Sequence, residues 1–251
     1  MGTGVFIAFL FIILSAILQI GLTYYQKKRP GRAVREIRAI ERMRMEVNLS
    51  VEEGKRLHIS IGNADILSDN MASALMGLSV VKQMAKITMF SDRPLIVTSG
   101  DGSLSILGRD VLHNSYQASN ALKYFDPMKS QLCGVTPFSY AGGVISQLER
   151  EKVSCNLVIG SFGPEVAYLC GMGHQDSEFV FKASNSLSAQ AVMFAAVEEP
   201  LIGEELFALP AYLQPESRHM VSLHVQDILR WVLIIALITG ALIQLTISIW
   251  G

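Results

Sequence analysis

The stretch NLVIGSFGPEVAYL, residues 156 to 169, raises the first chemical possibility. An apolar run ends in Gly160-Ser161-Phe162-Gly163, and Pro164 and Glu165 open what reads as a helix. Such a turn can cradle a phosphate, because glycines let an anion approach the backbone and a helix N-terminus offers free N–H groups. Two features work against it. Pro164 removes one N–H, and Glu165 already puts a carboxylate into the first turn. Neither G-x-G-x-x-G nor G-x-x-x-x-G-K-[ST] occurs. The plain alternative is a strand-to-helix turn with proline at the first helical position. As a nucleophile, Ser161 is poorly framed, since Ile159 stands where a nucleophile elbow has its first glycine. Its base would have to be His174 or a distant histidine.

Three further stretches pose the same question. In TSGDGS, Asp101 would repel a phosphate but could accept hydrogen bonds from a ribose, a sugar or an amine. Its simpler role is to cap a helix beginning at Ser103. GNADILSDN carries Asn63, Asp65, Ser68 and Asp69, and KASNSLS carries Ser184, Asn185 and Ser186. In a parallel sheet all four stretches lie at the carboxyl ends of strands, where α/β folds hold their ligands. The candidate ligand-binding set is therefore Asn63, Asp65, Ser99, Asp101, Ser161 and Asn185, a polar cleft with few cations that could take a small molecule.

Metal chemistry finds little support. Cys170 and His174 are four apart, but Gly171 and Gly173 between them are expected to end the helix. His58 alternates with apolar neighbours, His219 and His224 belong to a polar linker, and Cys133 and Cys155 suit a core. No catalytic constellation, metal set or cofactor fingerprint is complete. The sequence names no cofactor.

The elements that must position these residues alternate. RLHISIG, PLIVTSG, QLCGVTP, VSCNLVIG and EFVFKAS read as strands, each followed by a helical pattern; LIGEELFALPAYL, which Pro210 should kink or end, is a last helix. Near-continuous apolar strands between helices mean an α/β fold, a mostly parallel Rossmann-like sheet with helices on both faces.

Half of the 251 residues are apolar, and the mean hydropathy is +0.36, too apolar for an ordinary soluble domain. Two uncharged runs explain this, Gly4 to Tyr25 and Trp231 to Trp250, each long enough to cross a bilayer. The first lacks a basic n-region and is followed by its positive charges, so it reads as a retained helix rather than a signal peptide. Eight basic residues, Lys27, Lys28, Arg29, Arg32, Arg35, Arg38, Arg42 and Arg44, follow it against Glu36 and Glu41. The positive-inside rule places both termini outside and the intervening chain in the cytoplasm. The expected organisation is a membrane helix at 1–25, a basic neck at 26–50 with a helix running on from the membrane, an α/β domain at 51–226 and a membrane helix at 227–251. From Met45 to Gln226 there are 12 Lys and Arg against 19 Asp and Glu, which disfavours a nucleic-acid partner. Three cysteines without paired spacing suit a reducing compartment. Gln19 and Gln244, inside the spans, each need a hydrogen-bond partner, and a second copy at equal depth could supply one. A homo-oligomer in contact with membrane lipid is the partner this predicts.

KRLHISIG, PLIVTSGD, SYAGGVISQLEREKVSCNLVIGSFGPE and PLIGEELFALPAYL, in this order between two spans, resemble an uncharacterised prokaryotic two-transmembrane family, a domain of unknown function. The resemblance covers nearly the whole chain and implies its architecture and a prokaryotic inner membrane. It supplies no activity and no catalytic residues. Where that family's second strand ends Gly-Asp-Pro, this chain has Gly100-Asp101-Gly102. The residues support a non-enzymatic assembly or scaffold subunit, with a ligand-binding or enzymatic domain as the alternative. For the topology, a cysteine engineered at Thr3 should react with an impermeant reagent on intact cells, and one beside Lys123 should not; the reverse pattern rejects the orientation.

Overall fold

The structure, a computed structural model, describes residues 3–28, 36–65, 67–176, 179–196, 200–213 and 217–250. They belong to two compact units, Met1–Val34 with Gln214–Gly251, and Arg35–Leu213. The first unit is a pair of helices packed together, α1 (Thr3–Lys28) and α9 (Ser217–Trp250). Among the described residues one helix is long and apolar enough to cross a membrane, over Leu223–Thr246. In α1 the described apolar stretch is the shorter Phe9–Tyr24, which at 1.5 Å per residue reaches about 24 Å. The expected linker around His219 and His224 is instead the start of α9.

The second unit is a five-stranded sheet of β1 (Arg56–Gly62), β2 (Ile96–Ser99), β3 (Ser130–Leu132), β4 (Val153–Ser161) and β5 (Phe179–Ser184). Its order is β3-β2-β1-β4-β5, with every pair parallel. Around it lie α2 (Arg38–Glu52), α3 (Met71–Thr88), α4 (Gly102–Ala118), α5 (Pro137–Glu151), α6 (Val166–Asp176), α7 (Leu187–Ala196) and α8 (Glu205–Leu213). One face of the sheet packs against α2, α3, α4 and α8 and the other against α5, α6 and α7.

The two faces differ chemically. Ile59 is in register with Val97 and Leu157, and Leu157 with Phe181, so the α3 face is apolar across these four strands. One position along, Ser60 is in register with Thr98 and Val158, and Val158 with Lys182. His58 and Asn156 share this second face, and His58, Ser60, Thr98, Asn156 and Lys182 are all fully buried. Buried polar groups are costly unless hydrogen-bonded, and most of these pair across strands. His58 Nδ1 lies 2.7 Å from Asn156 Oδ1 and Nε2 lies 2.9 Å from the Thr98 hydroxyl. With Oδ1 as acceptor, Nδ1 carries the ring proton and Nε2 accepts from Thr98. From α5, the Tyr140 hydroxyl reaches the Ser60 hydroxyl and donates to the Thr98 carbonyl.

Local expectations are altered by packing. The expected neck helix is α2, whose Ala39, Ile40, Met43 and Val47 are buried in the α/β unit and whose Ser50 hydroxyl meets that of Ser154 at 2.8 Å. Its continuation toward the membrane falls in 29–35, outside the described residues. Gly171 and Gly173 do not end α6, which runs to Asp176. Glycine costs only about 1 kcal/mol in a helix, and α6 packs on α5, α7, β4 and β5. Pro210 lies inside α8, buried beside Leu206 and Leu209.

Burial pulls the pKa of His58 down to about 4, against the opposing hydrogen bond to Asn156. The unfolded chain binds this proton near pH 6.5 and the folded one does not. Stability is therefore complete above pH 6.5 and falls as pH drops from 6.5 to 4, by roughly 3 kcal/mol in all. Denaturant unfolding at several pH values should show this slope in the native sequence and lose it in His58→Gln; equal slopes in both would remove His58 as its source.

Candidate functional site

The strand order places a switch point between β1 and β4, where connections leave in opposite directions and open α/β sheets hold ligands. Here the strand tips are closed on one another. Gly62 ends β1 with φ +80°, and a Cβ on it would lie 2.3 Å from the Ser161 carbonyl oxygen. No other residue type fits both constraints. Across the seam the Asn63 N–H donates to that oxygen at 3.2 Å, and the Gly100 N–H donates to the Gly62 carbonyl at 2.9 Å. The tips of β2, β1 and β4 thus form one continuous surface.

Glu165 fills what remains. Its side chain is fully buried and turns back into the glycine loop that precedes it. The Gly163 N–H donates to Oε1 at 2.7 Å, and the Asn63 amide donates to the same oxygen at 3.4 Å. A Cβ at Gly163 would sit 2.6 Å from Oε2, so glycine is required for the carboxylate to fold in. The other oxygen, Oε2, is buried with no hydrogen-bond partner among the described residues. Chemically, Glu165 takes the backbone N–H that a bound phosphate would take.

The six residues singled out in sequence have separate jobs. Asn63 and Ser161 meet at the seam, beside Ser99 and Asp101 at the tip of β2. Asp101 caps α4, accepting from the Ser103 and Leu104 N–H groups at 2.9 and 3.0 Å and from the Ser103 hydroxyl. Burial raises its pKa, but the hydrogen bonds from Ser103, Leu104 and Gly102 outweigh this and leave it lowered. The Ser99 hydroxyl donates to the Asp101 carbonyl at 3.0 Å. Asp65 is turned into its own loop, accepting from the Leu67 N–H at 3.3 Å. Asn185 donates to Asn70 at 2.8 Å, ahead of α3. Gln19 and Gln244 are exposed on α1 and α9, and neither amide has a hydrogen-bond partner among the described residues.

Two groups escaped the sequence reading. Glu165 counted there only as an obstacle to phosphate, although its place two residues after Gly163 allows the return bond. Lys182 is fully buried and its Nζ lacks a hydrogen-bond partner among the described residues. Burial lowers its pKa, and the Cys170 thiol opposes the shift. Burial raises Cys170 in turn, with Lys182 working against it. The signal was available: strand alternation puts Lys182 on the side of Val180 and Ser184. No group of three His, Cys, Asp or Glu among the described residues could hold a metal ion.

A family model described as a domain of unknown function (DUF6754) matches residues 3–250. The chain belongs to that family. No curated protein and no solved structure matches it. Within this family member, the role of Glu165 rests on Oε1 as an acceptor. Glu165→Ala should therefore cost about 1–3 kcal/mol by stranding the Gly163 N–H, whereas Glu165→Gln, which keeps the acceptor, should cost about 1 kcal/mol or less. Thermal unfolding of both variants tests this; equal losses would mean the carboxylate charge, not the acceptor, is what the loop needs.

Proposed function

We propose that the chain is a two-pass inner-membrane protein whose α/β unit faces the cytoplasm and serves as a non-enzymatic assembly subunit. The observation that carries this reading is Glu165. The place where this fold receives ligands is occupied by the chain's own carboxylate, and the polar side chains around it are engaged in caps and turns. The uncharged runs Gly4–Tyr25 and Trp231–Trp250 supply the two spans, and the basic residues after Tyr25 set their direction.

Self-association is supported by Gln19 and Gln244. An amide facing hydrocarbon is costly unless hydrogen-bonded. In the proposed topology Gln19 lies 15 residues from the outer end at Gly4 and Gln244 lies 6 from Trp250, a difference in depth of about 13 Å. A direct hydrogen bond spans about 3 Å, so the two amides do not pair within one chain. Each finds its own copy in a neighbour at equal depth.

A second reading, a ligand-binding or enzymatic domain, draws on Glu165 Oε2 and Lys182 Nζ, because unpartnered buried polar atoms call for a specific explanation. A small molecule retained through purification would favour it. The mass of the particle after gentle detergent extraction decides for assembly. The expected value is a defined multiple of 27.5 kDa, reduced in Gln19→Leu/Gln244→Leu. A one-chain particle rejects the assembly reading, and an unchanged mass in the double variant rejects the role of the glutamines.

A further inference from the structure

We infer that the two edges of the parallel sheet are the two halves of a head-to-tail contact between copies of this chain, which rests on the assembly reading above. In a parallel sheet all strand-to-helix loops gather at one edge and all helix-to-strand connections at the other, so each edge has its own composition. At the carboxyl edge, the described residues of the five loops and the first turns after them include Asp65, Asp69, Asp101 and Glu165, and no lysine or arginine. Asp65 and Asp69 are exposed. Large apolar side chains stand beside them: Leu67 is 93% exposed, Leu187 83% and Val135 79%. Phe138 and Tyr168, also exposed, stack edge to face with ring centroids 6.0 Å apart.

The amino edge carries the cations. Its connections hold Lys55, Arg93, Lys123, Lys129 and Lys152, with the carboxylates Glu53, Asp92 and Asp126 among them. Lys55 pairs with Glu53 at 2.8 Å, Lys129 with Asp126 at 3.9 Å, and Lys123 lies over the Tyr124 ring. Arg93 and Lys152 are exposed and have no carboxylate partner among the described residues. With Lys55, Glu149, Leu148 and Val153 they line a cavity of about 330 Å³. An edge with exposed carboxylates and apolar side chains, and no cation among its described residues, therefore has a counterpart on the same molecule, the cavity that carries Arg93 and Lys152.

The occupant this assigns to the cavity is the carboxyl edge of a second copy, with Asp65 and Asp69 facing Arg93 and Lys152. Such a contact joins different surfaces on the two partners. It propagates until a rotation closes it, and copies anchored in one membrane share an axis about which a ring closes. Opposite charge steers the approach, and the apolar side chains supply the buried area.

The test uses the full chain in detergent and reads particle mass over a dilution series. Asp65→Lys/Asp69→Lys spoils one edge, and Arg93→Glu/Lys152→Glu spoils the other. Each alone should weaken association about tenfold or more. Mixed in equal amounts they should assemble again by alternation, because the two intact edges pair and the two changed edges, Lys against Glu, are complementary as well. A chain carrying all four changes should assemble for the second of these reasons. That recovery also shows that the changed surfaces still fold. If the native chain assembles and either edge variant keeps its full mass, or the fourfold chain stays dissociated, the contact is wrong while the assembly reading stands. Saturable binding of inorganic phosphate, abolished by Arg93→Glu/Lys152→Glu without change in mass, would reassign the cavity to a small anion and overturn the contact. A native particle of one chain would sink the assembly reading itself.

Discussion

Burying hydroxyl, amide and imidazole groups in the middle of a sheet costs free energy unless each finds a partner, and much of the α/β unit is arranged around that constraint. His58 is satisfied only while Thr98 and Asn156 stand on either side of it, which requires β2, β1 and β4 in their observed register. A slip of one residue would carry the polar row into the apolar layer under α3 and break every pair in it. Tyr140 adds the third dimension. By reaching Ser60 and the Thr98 carbonyl it sets α5 over β1 and β2. The apolar face supplies driving force; the polar face selects the register.

That selection reaches the strand tips. With β1 and β4 in register as far as Gly62 and Ser161, their backbones meet. The loop after β4 then has little choice but to fold over a seam rather than an open crevice. Glu165 follows from this geometry, since the Gly163 N–H needs an acceptor and the residue just before α6 offers a carboxylate within reach. Several buried polar atoms remain without a hydrogen-bond partner among the described residues, Glu165 Oε2, Lys182 Nζ, Asn156 Nδ2 and Gln147 Nε2 among them.

The sheet was legible in sequence because strands buried on both faces must be apolar along their length, and RLHISIG matches β1 residue for residue. The cap at Asp101 was legible too, being local. The boundaries of α6, α2 and α9 were not, because each depends on what the helix packs against or continues from: two glycines that weaken an isolated helix are tolerated in α6, and a segment that looked like a membrane flank buries Met43 and Val47. For the site, sequence correctly gathered polar residues at the strand ends but could not tell a polar loop that binds from one that caps. The distinction lies in where each oxygen points. Asp65, Asp101 and Asn185 all make bonds within a few residues or to a neighbouring loop, and composition is the same either way.

A loop edge whose polar groups are spent internally presents to its surroundings what is left over, and here that is apolar surface with carboxylates among it. Polar side chains folded inward to cap α4 or to close the turn after β1 cannot shield Leu67, Val135 or Leu187. The exposure of those three is thus the counterpart of the closure of the seam: one set of residues cannot both satisfy the strand tips and solvate the edge. Large apolar side chains left exposed are the kind of surface on which a partner docks. On the assembly reading proposed above, closing the crevice and leaving the edge open to a protein surface are two consequences of the same hydrogen bonds.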